Sequence, residues 1–255
     1  MVREGLKNVV AGANPILVKR GIEKAVEFCV GKIKEMSRQI EGRESILNIS
    51  KMKLLIVDYK MGNLHSVVNK VRKNAIEPIV SSNPKDLIEA DKIILPGVGH
   101  FSSAVSHLKD LQLYELLSEQ VLVKRKPILG ICLGMQLMAK YSEEGNSEGL
   151  GWFDAEIKRL KVSDSKLYKI PHIGWTSVQF NKNSALLKGV ENGSDFYFVH
   201  SYFCKCNNGN DILGTSDYGG VFTSAIERDH IFGVQYHPEK SHDVGMQLFK
   251  NFMSL

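Results

Sequence analysis

Nowhere in the 255 residues does an apolar run approach the roughly 18 positions needed to cross a bilayer. The opening MVREGLKNVV is charged by its third residue and lacks the apolar stretch of a secretory signal, so a cytoplasmic protein is expected. Cysteine is scarce: Cys29, Cys132, Cys204 and Cys206 are too few and too scattered for a disulfide framework in a chain of this length. Basic stretches interleaved with base-stacking aromatics are lacking too, which argues against nucleic acid as a partner. There is no internal repeat. What remains, with 43% hydrophobic and 24% charged residues, is the composition of a globular protein.

The net charge of +5 is unevenly spread. Residues 1–51 hold ten Lys/Arg against six Asp/Glu, whereas the following residues are almost balanced. Within this segment Asn14 and Pro15 suit the start of a helix. Val18, Ile22, Ala25, Val26, Cys29, Ile33 and Met36 then recur at steps of three and four, one apolar stripe meant for a partner surface. The stretch VREGLKNVVAGANPILVKRGIEKAV resembles part of the equatorial domain of group I chaperonins, without that family's nucleotide-binding parts. The tetrapeptide IEGR (40–43) matches a protease-cleavage linker. Residues 1–51 are therefore read as a fused helical appendage and linker, and 52–255 as the main domain.

From Met52 the pattern alternates strand and helix. KLLIVDY is a continuous apolar run, as in a strand buried on both faces of a parallel sheet. Leu64, Val67, Val68 and Val71 follow at helical spacing. EPIVSS, KIILPG and KPILGIC are further short strands, with a helical stretch at 113–124. The fold class predicted is α/β, a doubly wound and mostly parallel sheet. DFYFVHSYF, DILGTS, VFTSAIE and IFGVQYH imply a partly antiparallel extension. Ligands of such sheets sit beyond the carboxyl ends of the strands, where PGVG, GICLG and HPEK are expected to converge.

GICLG has the form G-x-nucleophile-x-G, a tight strand-to-helix turn that exposes its central side chain. Cys132 would then lie near a helix N-terminus, which favours a thiolate. Alone, the motif fits a buried packing cysteine equally well. His237 and Glu239 are two apart, so in extended chain they project to one side and the carboxylate can orient the imidazole. PGVG supplies backbone for close approach to a substrate, with an N–H near Val98 as an oxyanion donor beside that of Leu133. A phosphate loop would need a following Lys-Ser/Thr, which PGVG lacks.

Together PGVG, GICLGMQL and GVQYHPEKS resemble the class I glutamine amidotransferases over residues 52–255, with a flavodoxin-like sheet. IPHIGW, YFVHSY and HPEKS look like the glutaminase subunits of imidazole glycerol phosphate synthases within that family. The resemblance implies that Cys132 attacks the side-chain amide of L-glutamine, with His237 relaying protons and Glu239 orienting it. The N–H groups of Val98 and Leu133 would form the oxyanion hole. Glutamine would be held by Gly97, Gly99, Gln136, Glu144, Ser201 and Tyr202. The family passes its ammonia to a cyclase (synthase) subunit of the (β/α)8 barrel type, and Asn63 and Lys240 match positions near that partner face. Neither a cofactor nor a metal is implied.

Two positions depart from the family pattern: Lys60 stands for a glycine in DYKMGN, and Thr176 for an asparagine in HIGWT. Both lie in motifs of the partner-facing side and neither touches the triad. They leave open a paralogous glutaminase that supplies ammonia for amidated sugars. A vestigial scaffold is a further alternative. Cys204 and Cys206 with His200 do not match the usual zinc spacings, so a pair of strand cysteines is the expectation there.

Overall fold

A computed structural model describes residues 52–255 together with residues 21, 23–28 and 30. The latter are helical, as the spacing predicts, and Ala25 and Val26 of the apolar stripe are solvent-exposed. The other stripe positions, the Asn14-Pro15 start and the IEGR connector lie outside the described residues. The chain divides into two units, Met1–Ser50 and Lys51–Leu255. Among the described residues no helix is long and apolar enough to cross a membrane.

The second unit is built on one large sheet. Its parallel half runs β2 (Ile79–Ser81), β1 (Leu54–Val57), β3 (Lys92–Gly97), β4 (Ile128–Cys132) and β14 (Ile231–Val234). All four of these pairings are parallel. Beyond β14 the sheet continues antiparallel through β13 (Val221–Arg228), β11 (Tyr202–Cys206) and β7 (Phe153–Arg159). The short β5 (Ala139–Ser142) and β6 (Ser147–Glu148) close that edge, and β12 (Ile212–Asp217) with β9 (Gln179–Phe180) branches from β13. Separately, β8 (His172–Ser177) and β10 (Asp195–His200) form a two-stranded antiparallel ribbon.

The apolar runs of β1, β3, β4 and β14 are continuous because both faces of these strands are covered, and alternate residues belong to different cores. Leu55, Val57, Ile93, Leu95 and Ile128 pack with Phe101, Ala104 and Leu108 of α3 (Phe101–Asp110) and Leu117 of α4 (Tyr114–Ser118). Leu87 of α2 (Pro84–Glu89) joins them. Leu54, Ile56, Ile94, Leu129 and Ile131 pack on the other face with Val67, Val68 and Val71 of α1 (Leu64–Arg72). Leu248, Phe249 and Phe252 of the C-terminal helix, His242–Ser254, join that layer. The helical stretch expected at 113–124 is α4 followed by a π-helical turn at Glu119–Val123.

One run behaves differently from its sequence pattern. DFYFVHSYF is not one strand: it leaves the ribbon after His200 and enters the main sheet at Tyr202, with Ser201 at the corner. That corner stands over the ends of β3 and β4 and forms one wall of a cavity.

Candidate active site

Strand register sets the first contact. Gly97, the last residue of β3, pairs with Cys132, the last residue of β4, so Val98 and Leu133 follow side by side. Cys132 then turns with φ 53° and ψ −108° into α5 (Leu133–Gln136). That backbone conformation is costly for a residue with a Cβ, and it persists only where the surroundings enforce it. Gly134 is part of the enforcement: a Cβ there would lie 1.7 Å from the Leu95 carbonyl oxygen. Only glycine lets α5 begin this close to β3.

The elbow opens on a cavity of about 230 Å³. Val98, Gly99, Cys132, Leu133, Gln136, Glu144, Ser201 and Tyr202 all line it. This volume is below the roughly 300 Å³ at which drug-sized pockets begin, which suits a small substrate. A larger cleft of about 780 Å³, between Phe180 and Asn192, presents no cysteine, histidine or carboxylate.

Behind Cys132 lies the His237 imidazole, 2% exposed, at the end of the chain leaving β14. Its Nδ1 is 2.7 Å from Glu239 Oε1, and both side chains are buried. The expected geometry needs correction here. Only His237 keeps an extended backbone; Pro238–Lys240 is a 3₁₀ turn, and the turn brings the carboxylate back onto the ring. The turn is clamped to β10, where His237 N–H donates to Tyr197 O at 2.8 Å and Tyr197 N–H donates to Ser241 Oγ at 3.1 Å, and within the turn Ser241 Oγ donates to His237 O at 2.7 Å. Nε2 has no hydrogen-bond partner at normal length among the described residues. Burial by itself lowers the proton affinity of this ring, but the Cys132 sulfur and the Glu239 carboxylate outweigh it and lift His237 to about 10. A buried imidazole held this way is a ready acceptor for a proton leaving the sulfur.

The residues expected to bind substrate sit in or beside this cavity. Both amide hydrogens of Gln136 are committed, to Tyr202 O at 3.0 Å and Gln235 Oε1 at 2.9 Å, so its carbonyl oxygen is the group left for a ligand. One oxygen of Glu144 accepts the Phe101 N–H at the start of α3, which fixes the carboxylate in the wall. Gly97 is set back from the lumen, because a Cβ there would lie 2.1 Å from the Tyr59 hydroxyl. Ser201 O already accepts from Leu160 N, and Tyr202 O accepts from both Gln136 and His200. Asn63 and Lys240 are exposed, and Lys240 Nζ lies 5.5 Å above the Tyr197 ring.

Several neighbours of the sulfur went unread in the sequence. Gln235 Nε2 donates to Cys132 Sγ at 3.5 Å, and Val199 O lies 3.8 Å from it. Gln235 had a signal, since it stands two residues before His237 on one strand end. His200 lines the cavity and bonds His172 Nδ1 through Nε2 at 2.9 Å, while His172 Nε2 meets Thr176 Oγ1 at 2.9 Å. Burial lowers His172 to about 4 and His200 to about 3, so both rings stay neutral. Cys204 and Cys206 face each other, and His200 turns away from them to Tyr202 O and His172.

The family model "Glutamine amidotransferase class-I" matches residues 55–255. The chain belongs to that family. It is 44% identical over 202 residues to imidazole glycerol phosphate synthase subunit HisH 2 of Pseudomonas aeruginosa, across 79% of this chain and 99% of that protein. It is 45% identical to subunit HisH 1 of Campylobacter jejuni, across 79% of this chain and all of that protein. Among solved structures, PurLQS from Thermotoga maritima superposes with a TM-score of 0.61 at 16% identity, over 80% of this chain and 98% of the other. The glutaminase domain of Trypanosoma brucei CTPS gives 0.54 at 17% identity, over 80% and 94%. The last two speak for the α/β fold. The HisH relatives place residues 52–255 among the glutamine-hydrolysing subunits of histidine biosynthesis.

Proposed function

We propose that residues 52–255 hydrolyse L-glutamine to L-glutamate and ammonia through Cys132, His237 and Glu239, and hand the ammonia to a cyclase subunit of (β/α)8 type. The observation that carries the reading is the strained Cys132 elbow at the floor of a small cavity, backed by the buried His237–Glu239 pair.

Each side chain has a role that its position permits. The Cys132 proton moves to His237 Nε2, the nitrogen left unpartnered, while Nδ1 stays tied to Glu239. The sulfur adds to the amide carbon of glutamine, and the carbonyl oxygen becomes an oxyanion held by the Val98 and Leu133 N–H groups, adjacent through the Gly97–Cys132 register. Collapse of this intermediate returns the proton from Nε2 to the departing nitrogen, releasing ammonia and leaving a glutamyl thioester. Water, deprotonated by the same nitrogen, then attacks the thioester, and a second oxyanion in the same hole collapses to glutamate and the thiol. The Gln136 carbonyl oxygen and Glu144 are disposed to receive the ammonium group of the substrate, with Gly99 and the Ser201–Tyr202 corner closing over it.

Asn63 and Lys240, both exposed, mark the proposed partner face, and residues 1–51 are proposed to be a fused appendage outside this chemistry. The test is glutamine hydrolysis by the purified chain, alone, with a histidine-pathway cyclase plus its nucleotide ligand, and as Cys132→Ala. Stimulation by the cyclase and a loss of roughly 10⁴-fold or more in Cys132→Ala are expected. Hydrolysis that depends on Cys132 but ignores the cyclase would overturn the partner and keep the triad.

A further inference from the structure

Cys204 and Cys206 have no part in the chemistry above. They alternate on β11, so both sulfurs project from one face of the strand, and their Sγ atoms are 3.8 Å apart. Alternate Cα atoms of a strand are separated by roughly 6.6 Å, inside the range of about 4.4–6.8 Å that disulfides span. The two positions are not equivalent. Cys204 is fully buried and locked from both sides, paired with Ile157 of β7 and Thr223 of β13. Cys206 is the last residue of the strand, partly exposed, and paired only with Ala155 of β7 in the register. Arg228 stands beside it, held by Asp211 through Nε at 3.0 Å.

We propose that Cys204 and Cys206 form a redox-active dithiol, in which Cys206 exchanges with a small-molecule disulfide and Cys204 resolves the adduct to an intrachain disulfide. In the first step the Cys206 thiolate attacks one sulfur of the incoming disulfide. An S–S bond forms to Cys206, and the other half of the reagent leaves as a thiolate that takes a proton from water. In the second step Cys204 loses its proton to solvent through the Cys206 side and attacks Cys206 Sγ. The protein disulfide forms and the second reagent thiol departs. Two electrons leave the protein, and one small disulfide becomes two thiols.

The asymmetry of the pair fits this order. The hydrogen bond between the sulfurs holds Cys206 below the usual thiol range, burial opposing it and the Arg228 guanidinium assisting. The same bond, with burial, holds Cys204 above that range. The exposed member is therefore the better nucleophile, and the buried one waits until a sulfur electrophile is in contact with it. Ring closure asks for movement at the strand end, where Cys206 has one neighbour, and leaves the doubly paired Cys204 in place.

Lys205 allows a direct test, because trypsin then cuts between the two sulfurs. The native full-length protein would be incubated in oxidised glutathione, quenched with an alkylating reagent, unfolded and digested. The expected product is either residues 189–205 joined to residues 206–228, or one uncut peptide lacking two hydrogens, and dithiothreitol reverses it. Cys132 falls in a separate tryptic peptide and does not interfere. In Cys204→Ser the glutathione adduct is expected to persist on Cys206, and in Cys206→Ser the buried Cys204 is expected to resist modification. Recovery of both cysteines as alkylated thiols from the unaltered chain would overturn the proposal. So would a glutathione adduct that stays on Cys206 while Cys204 is present.

Discussion

The chemistry proposed for Cys132 and His237 depends on where the backbone holds them. Replacing Glu239 by Gln keeps the hydrogen-bond geometry at Nδ1 but removes the charge that helps lift His237 to about 10. Hydrolysis is expected to fall by roughly 10²–10⁴-fold in Glu239→Gln, with thermal stability little changed, as steady-state kinetics and a melting curve would show. The opposite shift at His172 and His200 predicts acid sensitivity. Their folded-state values, about 4 and about 3, lie below the ordinary value of 6.5, so the unfolded chain takes up protons first as pH falls. Their contribution is fully present above about pH 6.5 and is lost as pH drops through 4 toward 3. The slope of melting temperature against pH in that window is expected to flatten in His200→Gln; an unchanged slope would assign the acid loss to other groups. Gln235 carried only its two-residue spacing from His237 as a signal, and Val199 and His200 carried none, since contacts from a neighbouring strand leave no local pattern.

The elements carry the site through their ends. β3, β4 and β14 deliver Gly97, Cys132 and His237, and α5 begins against β3 because residue 134 has no side chain. Gly134→Ala would force its Cβ onto the Leu95 carbonyl oxygen, so the elbow must move. A loss of about 1–3 kcal/mol in stability is expected from such overpacking, together with a fall in hydrolysis larger than the lost folded fraction explains. Denaturant titration and activity on the same sample would separate the two. Of the parallel half, β1, β3, β4 and β14 were readable because both their faces are buried, which makes them continuous apolar runs, whereas the edge strand β2 is exposed. The ribbon of β8 and β10 was not, and neither was the change of sheet at Ser201. His172 and His200 punctuate apolar stretches there, and only the pairing partners reveal where one strand ends.

At the scale of the whole molecule, the chain from Met52 onward has its own complete core on both faces of the sheet. A chain beginning at Met52 is therefore expected to fold, melt cooperatively and hydrolyse glutamine at the rate of the full-length protein. A drop of more than about threefold in that comparison would assign the first 51 residues a part in the site. The two units divide between Ser50 and Lys51.

By itself the sequence determined the class of fold and the family, and it marked the strand ends of the proposed site, because these rest on local devices: apolar runs, glycine-flanked turns and short motifs at strand termini. Tertiary structure decided the rest. It turned His237 and Glu239 together through a 3₁₀ turn instead of an extended strand, set Gln235 on the sulfur, and seated His200 against His172. It also left Cys204 and Cys206 with their sulfurs 3.8 Å apart and unequally exposed. Such contacts depend on sheet register and burial, which couple residues up to about a hundred positions apart and have no signature in any short stretch of chain.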